Sequence, residues 1–130
     1  MDISASLEDY LEVIFELQGE GMNAVRVRDI ASKKSVKMPS VTAALIKLKN
    51  LGMVDYNRYD YLTLTDKGMT RAANLARRHH VLRKFFNELL GVELQIADRD
   101  ACIVEHELSR ETIDAMKKFC TRVDCGEIKL

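Results

Sequence analysis

The stretch Cys102-Ile-Val-Glu-His106 brings together side chains that could do metal chemistry. In a helix, residues three and four apart share a face, so Cys102, Glu105 and His106 project together while Ile103 and Val104 point away. A thiolate, a carboxylate and an imidazole then converge on one small volume. Each binds a transition metal only after losing or withholding a proton, and this mixture of soft and hard donors suits Fe(II), Zn(II), Co(II) or Ni(II) better than Ca(II) or Mg(II). Three ligands do not complete a site, since structural zinc takes four and octahedral iron or manganese about six. The competing reading is a solvated Glu105–His106 face with Cys102 as a small buried residue.

The missing donors must come from elsewhere. Ser6 or Ser4 can cap a first helix running to about Gln18, with Leu7, Tyr10, Leu11, Ile14 and Phe15 on its apolar side and Gly19 and Gly21 ending it. The opposite side collects Glu8, Asp9, Glu12 and Glu16, and Asp9 with Glu12 forms a carboxylate pair at helical spacing. An acidic helix face is ordinarily just solvated; here it could supply the absent oxygens. His79 and His80 lie in the middle of a long helix, where spacing alone gives neither a ligand role.

The 130 residues, 47% hydrophobic, can bury one modest core or two small sub-domains sharing a seam. No apolar run reaches the length of a membrane span, and the N-terminus lacks a basic-then-apolar signal pattern, so the expectation is a soluble cytoplasmic protein. Three cysteines, an odd number, argue against a disulfide framework; Cys120 and Cys125 read as free thiols in preference to a weak second metal clip. The net charge of zero hides a strong pattern. Residues 1–25 carry six acidic groups and no Lys or Arg, residues 26–84 carry fourteen basic against four acidic, and residues 85–130 carry six basic against ten acidic. A basic middle between acidic ends is a polyanion-binding module joined to something that is not one.

That middle reads as helix-turn-helix followed by a wing. Val27 to Lys34 and Pro39 to Leu51 are two short helices around Ser35-Val36-Lys37, the second burying Val41, Leu45 and Leu48 and ending at Gly52. Val54 to Leu64 alternates as a β-hairpin with Arg58, Tyr59 and Asp60 at its apex. Thr65 caps a long helix from Asp66 to Leu90, closed by Gly91; Leu94 to Glu107 is the helix of the metal motif, and Ser109 caps a last helix through Cys120. The fold expected is mainly α: a winged helix-turn-helix DNA-binding domain over 1–65 and a helical metal-binding and dimerisation domain over 66–130.

With these residues assembled, the chain resembles the metal-dependent repressors of the diphtheria-toxin-repressor and manganese-transport-regulator family (DtxR/MntR). The resemblance runs from about Leu7 to Phe119 and is carried by Glu8-Asp-Tyr-Leu-Glu12, Val27-Arg-Asp-Ile-Ala31, Pro39-Ser-Val-Thr42, Leu64-Thr-Asp-Lys-Gly68, His80 ahead of Gly91-Val92, and Cys102-x-x-Glu-His106. It implies metal ligands at Asp9, Glu12, His80, Cys102, Glu105 and His106, with cysteine as in iron-type members and the Asp9–Glu12 pair as in manganese-type ones. The iron-type ancillary site expects Glu four residues after the histidine and His four before the cysteine; this chain has Lys84 and Asp98. It further implies the short two-domain form without the SH3-like domain of longer iron-type members.

The expected function is a homodimeric repressor, activated by a divalent metal, that binds a palindromic operator in double-stranded DNA. Fe(II) is the first choice because a thiolate favours it over Mn(II), which comes next. Pro39, Ser40 and Thr42 are expected at base edges, and Arg28, Lys37, Lys47, Arg58 and Tyr59 at phosphates. The alternative is a winged-helix regulator answering an organic effector, with the Cys/Glu/His cluster structural. An enzyme is not expected: the chain lacks His-Glu-x-x-His and offers no general base beyond the ligands themselves.

Overall fold

Ser4 starts the first helix. Its hydroxyl accepts the Leu7 N–H at 3.2 Å, and α1 runs from Ala5 to Gly19, burying Tyr10, Leu11, Ile14 and Leu17. The computed structural model describes residues 3–21, 24–56 and 61–130, which divide into two compact units, Met1–Asn74 and Leu75–Leu130. Among the described residues no helix is long and apolar enough to cross a membrane.

In the first unit, α2 (Val27–Lys34) is opened by the Asp29 carboxylate, which accepts the Arg26 N–H at 2.8 Å and so satisfies a backbone donor that the helix start would leave open. Ser35 then turns the chain with φ of 56°, a left-handed conformation that costs a residue with a Cβ about 1–2 kcal/mol and is held here by its N–H bonding back into α2. After it, α3 (Met38–Asn50) carries Pro39 in its first turn, where the missing N–H costs no helical bond. Val41, Leu45 and Leu48 are fully buried, as their spacing predicts. Strands β1 (Val54–Tyr56) and β2 (Leu62–Leu64) pair antiparallel with Val54 opposite Leu64 and Tyr56 opposite Leu62. The Leu62 N–H also donates to Val25 O at 2.8 Å, which ties the segment before α2 to the hairpin. The fully buried Leu11, Ile14, Val25, Ile30, Val41, Leu45, Leu48 and Leu62 form one core. Each such aliphatic side chain contributes about 1.5–3 kcal/mol on burial.

Helix α4 (Asp66–Lys84) crosses from one unit to the other, so the units divide between Asn74 and Leu75, nine residues beyond the 65/66 boundary expected from the sequence. Its first two turns are bound into the first unit: Ala72 lies in that core, Arg71 pairs with the buried Glu8 at 2.9 Å, and Gly68 presses on the backbone of Met53. Glu8 therefore leaves the acidic, solvated face on which the sequence had placed it.

The expected continuation of the long helix to Leu90 is interrupted by a single π-helical turn, Phe85–Leu89, a five-residue ring in place of the α-helical four. Then come α5 (Leu94–Val104), three residues shorter than expected, and α6 (Arg110–Asp124), four residues longer and capped by Ser109 through the Thr112 N–H at 3.1 Å. Leu82, Ala101 and Ile113 make the small second core, joined by Phe86, Val104, Leu108 and Met116.

Candidate metal centre

Arg78 on α4 anchors the end of α5. Its Nε donates to Glu105 O at 2.7 Å and a terminal nitrogen donates to Leu108 O, satisfying carbonyls that the helix end would leave open. The backbone of Glu105 is thereby held by the residue that precedes His79. The Glu105 side chain is fully buried. Its Oε2 lies 3.1 Å from His79 Nδ1, and the other ring nitrogen, Nε2, lies 2.7 Å from Asp98 Oδ1. Arg83 approaches the same Asp98 oxygen at 3.7 Å. The bond to Glu105, then that to Asp98 and the charges of both, raise the His79 pKa above the usual histidine value against the opposing effect of burial.

His79, Cys102 and Glu105 each offer one ligand atom within 4.8 Å of the others. The second Glu105 oxygen, Oε1, is buried and has no hydrogen-bond partner among the described residues; His106 Nε2 lies 3.6 Å from it. A buried carboxylate oxygen left without a donor costs about 1–3 kcal/mol. A cation beside it would remove that cost, and the surrounding nitrogen, sulfur and oxygen donors are those a divalent transition metal takes. The residues present fit such an ion.

His80, the histidine implied by the resemblance, is exposed and outside this cluster; His79 takes its place. The two neighbours differ by about 100° of rotation around α4, so only one of them can face the cluster. The sequence did contain a signal: Leu75, His79, Leu82 and Phe86 follow one another at helical spacings of four, three and four, and Leu75 and Leu82 are buried. Counted from His79, the residue four later is Arg83, whose guanidinium faces Asp98. Glu105 and His106 stand just beyond α5, Glu105 as its C-terminal cap with helical backbone angles. Asp9 and Glu12 are half-buried on α1 in the first unit.

On the first unit Arg28, Lys37, Pro39, Ser40 and Lys47 are exposed and Thr42 is half-buried. Arg58 and Tyr59 lie outside the described residues. Met38 and Ile46 on α3 are also about half exposed, at 51% and 50%, apolar additions to this surface that the polar residues alone did not suggest.

Comparison with known proteins also gives two parts, which meet between residues 62 and 65. The family model described as "Iron dependent repressor, N-terminal DNA binding domain" matches residues 2–62, and that described as "Iron dependent repressor, metal binding and dimerisation domain" matches residues 65–125. The HTH-type transcriptional regulator MJ0568 of Methanocaldococcus jannaschii is 35% identical over 117 residues, covering 90% of this chain and 94% of its own. The transcriptional regulator MntR of Escherichia coli O157:H7 is 34% identical over 113 residues, 87% of this chain and 72% of its own. The solved manganese regulator SloR aligns with a TM-score of 0.78 at 29% identity over 88% of this chain; the chain spans about half, 53%, of that one.

Proposed function

The chain belongs to the iron-dependent repressor family, and on that premise we propose that it is a homodimeric repressor, activated by a divalent metal, that binds a palindromic operator in double-stranded DNA. The observation that carries the metal half of this reading is the convergence of His79, Cys102 and Glu105 around a fully buried carboxylate. His79, Cys102, Glu105 and His106 would hold the ion within the second unit, and Asp9 and Glu12 on α1 are the further oxygen donors that the family resemblance implies. The ion supplies positive charge to a set of groups that otherwise repel one another.

Without that charge, the carboxylates of Asp9, Glu12 and Glu105 resist being brought together, and the two winged helices of a dimer sample many separations. Once neutralised, they hold both reading helices at the spacing of two major-groove half-sites, about one helical turn or a small multiple apart. An ordering cost otherwise charged to DNA binding is removed. Exposed Leu90, Leu94, Ile96 and Ile103 supply apolar surface for the dimer contact. On α3, Pro39, Ser40 and Thr42 meet base edges, while Arg28, Lys37, Lys47, Arg58 and Tyr59 take phosphates.

Fe(II) is the preferred ion because the Cys102 thiolate is a soft donor. Mn(II) is the second reading, favoured by the three carboxylates of the set. Anaerobic titration of Fe(II), and separately Mn(II), into the pure protein while following operator binding by fluorescence anisotropy tests both. An operator affinity indifferent to either metal would sink the proposal; equal activation by both would remove the preference for iron.

A further inference from the structure

The two nitrogens of His79 face two different carboxylates. Nδ1 lies 3.1 Å from Oε2 of Glu105, which shares the cluster with His79 and Cys102, and Nε2 lies 2.7 Å from Asp98 Oδ1. We propose that Asp98 is a positioning residue for the metal centre: by accepting the Nε2–H of His79 it holds the imidazole in the one tautomer and ring orientation that present Nδ1 to the ion. This inference rests on the metal-site reading above.

A neutral histidine that binds a metal through one nitrogen carries its proton on the other, and which nitrogen is which depends on the hydrogen bond made by the one facing away. Here the away-facing partner is a carboxylate, the strongest acceptor available to an N–H. Asp98 cannot join Glu105 on the same ion without the ring turning, because the two carboxylates lie on opposite nitrogens. Arg83, 3.7 Å from the same Asp98 oxygen, restrains that carboxylate in turn. Asp98 and Arg83 are 53% and 42% exposed, so as a surface ion pair they add little to stability. What the arrangement supplies is direction for the ring between them and the buried Glu105.

The test uses the full chain, Zn(II) as a diamagnetic probe, and 15N-labelled histidine. In the Zn(II)-loaded protein the His79 spectrum is expected to show Nδ1 bound and Nε2 protonated. Asp98→Ala should lower Zn(II) affinity about 10–100-fold, the usual effect of losing such a partner, and broaden or mix the tautomer signal. Asp98→Asn keeps an acceptor oxygen and should retain most of the affinity. Unchanged affinity and tautomer in Asp98→Ala, metal bound through Nε2, an Asn variant as weak as the Ala variant, or Asp98 among the donors of a Zn(II)-loaded crystal would each overturn the inference. Failure of the unsubstituted protein to bind Zn(II) at this cluster would instead remove the metal-site reading, and the inference with it.

Discussion

Glu105 is the residue around which the site's electrostatics turn: a fully buried carboxylate with His79 on one oxygen and His106 near the other. A proton on His79 is favoured by these surroundings, through the Glu105 contact first and the Asp98 contact after it. Because Glu105 and Asp98 raise the His79 pKa, the stability contributed by the imidazolium is fully present below the unfolded value near 6.5 and is lost as pH rises through the raised folded value. Metal binding needs His79 Nδ1 without its proton, so metal affinity should climb across that same window. Thermal melts of the metal-free protein against pH, with His79→Gln as the flat control, check the first statement; chelator competition at several pH values checks the second. His79→Ala should cost at least the ~10–100-fold in metal affinity seen for lost outer-shell partners, whereas His80→Ala should leave it within about twofold. The reverse result would restore His80 to the role the resemblance implied. That Cys102 and Glu105 meet was readable from their spacing, although Glu105 stands just beyond α5. For the adjacent histidines the sequence offered only the Leu75, His79, Leu82 and Phe86 spacing, which marks His79 as facing the packed side of α4 and says nothing of the groups it meets there.

At the scale of elements, the helices and the paired strands were legible because apolar periodicity and caps are local properties. Ser4, Ser109 and Asp29 each bond a backbone N–H within three residues. Gly68 shows what was not. A Cβ there would fall 1.9 Å from the Met53 carbonyl oxygen, so Gly68→Ala must displace backbone and should destabilise by about 1–3 kcal/mol or more, read as a lower midpoint in urea. Gly19, at the end of α1, meets nothing within 4 Å; there Ala should be neutral or stabilising by up to about 1 kcal/mol. Equal losses at the two positions would refute this account of Gly68. The π turn makes a separate prediction. Deleting the exposed Glu88 should let Phe85–Leu89 close as ordinary α-helix without rotating the residues before it, because the π turn only absorbs one extra residue, so His79 should keep its place beside Glu105. Chelator competition on the deletion carrying His79→Ala or His80→Ala checks this: continued dependence on His79 is expected, and dependence on His80 would refute it.

For the whole molecule, metal control is a coupling between ion and operator. A coupling of about 1–3 kcal/mol, typical of allosteric linkage, corresponds to a 5–150-fold loss of operator affinity when a chelator withdraws the metal. Anisotropy titrations with and without chelator measure it. Lys47→Ala, at an exposed position on α3, should weaken binding to all sequences alike and reduce the slope of log affinity against log salt by about one; a sequence-selective loss would assign it to base reading instead. The amino-acid order by itself determined the DNA-binding half, the segregation of charge, and the meeting of Cys102 with Glu105, because all of these are written in composition and short-range spacing. Only the tertiary structure decided that His79 is the histidine at the cluster, that Asp98 and Glu105 take its two nitrogens, and that Arg78 ties down the end of α5. Those contacts join residues 19 to 30 positions apart, and their geometry follows from helix phase and packing.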